Sequence, residues 1–112
     1  MITLDPDGLY HLASAEEWAE HQASGEIVPP SLAAEGFVHC SWGHQVAGTV
    51  GRHFPGRTDL LALALDRSAL GDLALVEEDT SGSGQAYPHV YGPVPVAAVT
   101  ATTPLGPDGE PA

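Results

Sequence analysis

Short apolar runs alternate with polar, Gly- or Pro-marked breaks along the chain. After a polar lead-in over residues 1–8, LYHL (9–12) predicts a brief strand carrying His11. Ser14 opens S-A-E-E, a capping-box signature with Glu17 at its third helical position. It predicts a helix to about Ala23, anchored by Trp18 and stopped at Gly25. Residues 27–35 contain Pro29 and Pro30 and read as a loop. GFVHC (36–40) predicts a second strand, with Phe37 and His39 on one face and Val38 and Cys40 on the other. Ser41 is placed to N-cap a second helix over about 42–54, with Val46, Val50 and Phe54 at four-residue spacing, ended by Pro55-Gly56.

The second half is β-rich. DLLALAL (59–65) is a continuous apolar run of strand length, the pattern of a buried central strand. Asp66 caps a single helical turn to Leu70, and LALVE (73–77) predicts a further strand. Residues 79–86 (DTSGSGQA) read as a flexible loop, 87–91 as a strand, 92–95 as a turn, 96–102 as a last β-prone run and 104–112 as a frayed tail. Helices early and strands late predict an α+β fold: one small domain over 1–112, its core about 9–103. Its sheet is expected to be split and mixed or antiparallel, with two N-terminal helices.

Composition narrows what such a domain does. The hydrophobic content of 43% is that of a globular chain. Three basic residues face fifteen acidic ones, giving a formal charge of −12. That excludes nonspecific binding to nucleic acid or to an anionic membrane, both of which need clustered Lys and Arg. A small-molecule ligand is the expected partner, and only Arg52, Arg57 and Arg67 are available to meet phosphates. Cys40 is the one cysteine, so no internal disulfide forms. The start of the chain lacks the basic and apolar regions of a signal peptide, and no apolar run reaches membrane-spanning length. A cytoplasmic protein is expected.

Three of the six histidines, His11, His39 and His89, sit in short apolar strands. Polar side chains facing a core are costly unless paired, so three of them predict a shared polar cavity. His21, His44 and His53 lie among polar neighbours on helices and are expected at the surface. Separations of 28 and 50 residues among the strand histidines carry no metal-site pattern, and no metal is expected. Cys40 is either a small core residue or a nucleophile paired with a histidine. Ser41 lies two residues after His39, at the edge of the same cavity. Glu77 ends an otherwise apolar strand face and is placed for acid–base work or for holding a ribose hydroxyl. Tyr91, two residues after His89, offers an aromatic wall and a hydroxyl. Neither a GxGxxG nor a Walker A loop occurs.

The segments YHLAS, PPSLAAEGFVHCS, FPGRTDLLALALD, LVEE and YPHVYGPVPVAAV together resemble the DUF952 family over about residues 9–103. The resemblance implies an ADP-ribosyltransferase-like fold, in which NAD binds a cleft of a split β-sheet. It places His11 where such proteins hold the ribose and carboxamide of NAD. His39 and Ser41 fall near the second motif, and Glu77 or His89 near the late-strand glutamate. The transferases' H-Y-E triad is not visible in this order. Three readings follow: an enzyme acting on NAD or a related nucleotide, with Arg52 and Arg57 near the phosphates; an acid–base enzyme using histidines on a small metabolite; and a non-catalytic ligand-binding domain. Catalysis is expected from His11, His39, Ser41, Glu77 and His89, and ligand contacts from Tyr91, Arg52, Arg57 and Cys40.

Overall fold

Leu9–Ser14 (β1) pairs along its whole length with Leu60–Leu65 (β5), antiparallel, and this pair is the spine of the molecule. Both faces of β5 are covered, which is why its sequence is apolar throughout. On one side Leu9, Ala13, Leu63 and Leu65 join the larger core cluster. On the other, Tyr10, Leu60 and Ala62 pack with Val46, Val50 and Leu105. The computed structural model describes residues 3–112, and the first two residues of the expected lead-in lie outside that range.

Ser14 performs as its sequence predicts. Its Oγ accepts from Glu17 N at 3.0 Å, and its own N–H donates to Glu17 Oε1 at 2.8 Å. The helix α1 (Ala15–Ser24) follows and ends where Gly25 turns left-handed at φ 85°. Then come β2 (Glu26–Ile27), α2 (Pro30–Glu35), β3 (Val38–His39), β4 (Ser41–Trp42) and α3 (Val46–His53). After β5 the chain forms β6 (Ala74–Glu78), β7 (Tyr87–Tyr91), β8 (Val94–Pro95) and β9 (Val99–Pro104). Short 3-10 turns lie at Gly43–Gln45, Arg67–Leu70 and Val96–Ala98. Asp66 caps the second of these through Ser68 N, as expected.

The fold is α+β. Every strand pairing is antiparallel, so the mixed alternative is set aside: β4-β1-β5-β9 form one sheet, β3-β7-β6 a second, and β2-β8 a two-stranded ribbon. The sheets are joined at Cys40, between β3 in one and β4 in the other. Because β4 pairs with β1 only at Leu9 and Tyr10, β1 has no strand on that side from His11 onward among the described residues. The sheet is therefore split beginning at His11.

Several local expectations are corrected. Residues 30–35 are helical, not loop, because Pro30 stands at the first helical position, where its missing N–H costs nothing. There are thus three helices among the described residues rather than two. Ser41 does not cap the helix after it; the Gln45 carboxamide accepts from Trp42 N at 3.0 Å instead. That helix opens as a 3-10 turn before α3. Val94, expected in a turn, is fully buried in the β8 pairing. The tail after Pro104 is packed: Leu105 is 2% exposed, its N–H donates to Leu60 O at 2.9 Å, and it bridges to Pro111. His21 is buried, not superficial, and its Nδ1 accepts from Val28 N at 3.4 Å. Among the described residues, no helix is long and apolar enough to cross a membrane.

Candidate functional site

A cavity of about 480 Å³ opens at the split between the sheets. Its walls include His11, His39, Cys40, Ser41, Arg52 and His89. All three strand histidines lie on its lining, although His39 is exposed and not held in the core.

His11 reaches across the split. Its Nδ1 donates to the His39 carbonyl at 2.7 Å, the peptide at which the chain leaves the second sheet for the first. A carbonyl only accepts, so the proton sits on Nδ1 and the Nε2 lone pair is left without a protein donor among the described residues. Burial disfavours the charged ring and pushes its pKa down to about 4, despite the carbonyl, so the ring is neutral at physiological pH.

His89 is 1% exposed, and Phe37 stacks on it with ring centroids 4.0 Å apart and planes 11° apart. Its Nδ1 lies 2.9 Å from Glu78 Oε1, which also accepts from the Tyr91 hydroxyl at 2.5 Å. The Tyr91 bond, then the His89 bond, hold the Glu78 carboxyl below the usual carboxylate range, so it is an ionised acceptor. The same carboxylate raises the Tyr91 hydroxyl. Glu78 thus fixes the His89 proton on Nδ1, and Nε2 has no partner among the described residues. Two imidazoles are held in the same way, each through Nδ1, with Nε2 unpartnered among the described residues.

His39 is exposed, and its Nε2 meets Glu35 Oε1 at 3.1 Å. Its ring stands edge-on to His89, with centroids 5.1 Å apart. Ser41 is buried, and its Oγ lies 3.0 Å from Thr49 Oγ1, which itself donates to Gln45 O. The Thr49 proton is committed there, so Ser41 donates to Thr49 and keeps its lone pairs. Burial pushes the Cys40 thiol up to about 12, leaving a neutral core thiol rather than a nucleophile.

Of the remaining predicted residues, Glu77, Tyr91 and Arg57 lie elsewhere. Glu77 accepts from the Trp42 indole at 2.8 Å on the face of β6 opposite His89, and it does not line the cavity. Tyr91 is 39% exposed, does not line the cavity, and donates its hydroxyl to Glu78. Arg57 is engaged by Asp59 in a two-bond ion pair of 2.8 and 2.6 Å, outside the cavity. Arg52 does line it, with its guanidinium 4.9 Å above the Tyr87 ring. His53 lines it as well, from the end of α3.

Sequence reasoning misses Glu78, Thr49 and the 80–83 rim. The β6–β7 register opposes Val76 to His89 and Glu78 to Tyr87, so Glu78 and not Glu77 shares a face with His89. Parity along β6 separates the two glutamates, but only the register says which parity meets the histidine. The 79–86 loop is ordered by Asp79, whose carboxylate accepts from Ser83 N at 3.0 Å and Gly84 N at 2.7 Å. Gln45 Nε2 ties that loop to the helical side of the cavity, donating to Ala86 O at 2.8 Å. Thr80, Ser81 and Ser83 then form its rim.

A family model described as a protein of unknown function, DUF952, matches residues 12–102. The crystal structure of protein CC0527 from Caulobacter crescentus is 34% identical, with a TM-score of 0.74 over 93% of this chain and 92% of that one. A double-methionine variant of the same protein superposes equally well, at a TM-score of 0.74 and 34% identity over 93% and 92% of the two chains. Its solution NMR structure gives 33% identity and a TM-score of 0.74 over 94% and 91%. Among curated proteins none matches.

Proposed function

Because the chain belongs to the DUF952 family, whose description assigns no activity, we propose a function from the cavity itself: acid–base catalysis on a small polar metabolite by paired imidazoles. The observation that carries this reading is the common anchoring of His11 and His89 through Nδ1, which leaves two Nε2 atoms for one ligand.

The two rings are suited to different work. His11 stays neutral to about pH 4 and serves as a fixed hydrogen-bond acceptor that orients a substrate hydroxyl or amine. His89 has a carboxylate on its proton-bearing side. When its Nε2 takes a proton from the substrate, Glu78 counters the charge that builds on the ring, and the proton is then returned to the product. Ser41 contributes lone pairs to the cavity wall, its own proton being held by Thr49.

An ADP-ribosyl-transferring enzyme has less support. Cleaving the nicotinamide–ribose bond builds positive charge on the sugar, which a carboxylate beside it stabilises. No carboxylate lines the cavity among the described residues, and Glu77 faces away. A diphosphate calls for several cations, and Arg52 is the one arginine on the lining.

The test is conversion of a mixed pool of small metabolites, NAD included, followed by NMR, with the wild-type chain beside His89→Asn and His11→Asn. The reading expects a turnover that His89→Asn lowers by about 100-fold or more, with the fold retained. Equal turnover in wild type and His89→Asn refutes it. Consumption of NAD alone returns weight to the transferase reading.

A further inference from the structure

The rim of the cavity carries an unspent cation. Arg52 stands on the last turn of α3, with its guanidinium over the face of Tyr87. Stacking on a ring face uses none of the five guanidinium N–H groups. No acceptor meets any of them among the described residues, although the chain has fifteen acids. The contrast with Arg57, engaged by Asp59 through two bonds, is local and direct. Arg67 lies over Trp42, away from the cavity. The one acid of the 79–86 loop, Asp79, is turned into its own turn by Ser83 and Gly84. That arrangement presents Thr80, Ser81 and Ser83 to the cavity instead of a carboxylate.

We infer that the cavity mouth is a subsite for one compact anionic group, a carboxylate or a phosphate monoester, with Arg52 as its counter-charge and the Thr80 hydroxyl as a donor, the Ser81 and Ser83 hydroxyls being turned to Asp79. The ligand is then a small molecule with an anionic end at Arg52 and its reacting end at the imidazoles. A planar guanidinium fork matches both oxyanions. Only the second half of this statement rests on the acid–base reading; the anion subsite stands without it.

The experiment is a titration followed by NMR of the Arg52 side-chain N–H and of the amides of Tyr87 and residues 80–84. Inorganic phosphate, acetate and neutral acetamide are the probes. Saturable shifts with phosphate or acetate and none with acetamide are expected, and the tighter anion names the class. Arg52→Gln should weaken binding about tenfold or more and Arg52→Lys less, while Arg57→Gln leaves it unchanged. Shifts that survive Arg52→Gln, or that Arg57→Gln abolishes equally, overturn the subsite. So does a response to acetamide as strong as that to acetate. Loss of turnover in His89→Asn has no bearing on this readout, so the two readings fail separately.

Discussion

The burial of His11 has a thermodynamic signature that does not require knowing the substrate. In the folded chain its pKa is pushed from 6.5 down to about 4, chiefly by burial. Below pH 6.5 the unfolded chain therefore binds a proton at residue 11 that the folded chain refuses until about pH 4. The stability linked to this group is fully present above pH 6.5 and is lost as the pH falls toward 4. A displacement of that size is worth on the order of 3 kcal/mol, a large share of the roughly 5–15 kcal/mol that holds a domain folded. His11→Asn removes the ionisation, and its amide is able to keep the bond to the His39 carbonyl. Urea unfolding of both chains at several pH values from 7 to 4 measures the effect. Wild type should lose about 3 kcal/mol more than the variant over that window. Other acid-sensitive groups, Asp59, Glu78 and Asp79, are held below the usual carboxylate range and are common to both chains, so they cancel in the difference. A parallel pH dependence in the two chains, or a His11 ring that titrates near 6.5 by NMR, refutes the reasoning.

Four further outcomes follow from the geometry. Glu78→Gln should lower any turnover that depends on His89 by about tenfold or more, while Glu77→Gln leaves it within about twofold, as steady-state rates will show. Ser14→Ala removes the cap and should cost about 1 kcal/mol, a fall of about 4 °C in the thermal midpoint by calorimetry. Gly109→Ala should cost about 2 kcal/mol in the same assay, because a Cβ there comes within 2.8 Å of Ala47 Cα at a backbone φ of 80°. Cys40 in the native chain should react with iodoacetamide at least about 1000-fold more slowly than in denaturant, since its thiol is raised from 9.0 to about 12.

What the sequence reveals here follows the range of the interactions. Ser14 and Glu17 lie three residues apart, and their capping box forms as read. The apolar run 59–65 contains the central strand, because continuous apolarity has few other uses at that length. His11 and His89 are buried beside one cavity, whereas His39, read as facing the same core, is exposed at its edge. Quantities that depend on register were not legible. Glu78 became a partner of His89 through the β6–β7 pairing, and Glu77 turned to Trp42 by the same alternation. Pro30 was misread because proline stops a helix in its interior yet starts one at its first position. His21 was misread because seven of the ten residues of α1 are charged or capable of hydrogen bonding, which hides the one direction in which the helix meets the core. Its Nε2 is buried without a partner among the described residues.

The bond from His11 to the His39 carbonyl ties two sheets that share no continuous ladder. The cavity's walls come from residues 11–12, 39–54 and 80–89, segments that meet only when both sheets are in place. No fragment of this chain carries the site. A ligand seated there acts as a clamp across the seam, and its binding free energy is added to the cohesion of the whole domain and not to one sheet. Slowed hydrogen exchange on ligand binding should therefore appear in the strands of both sheets together.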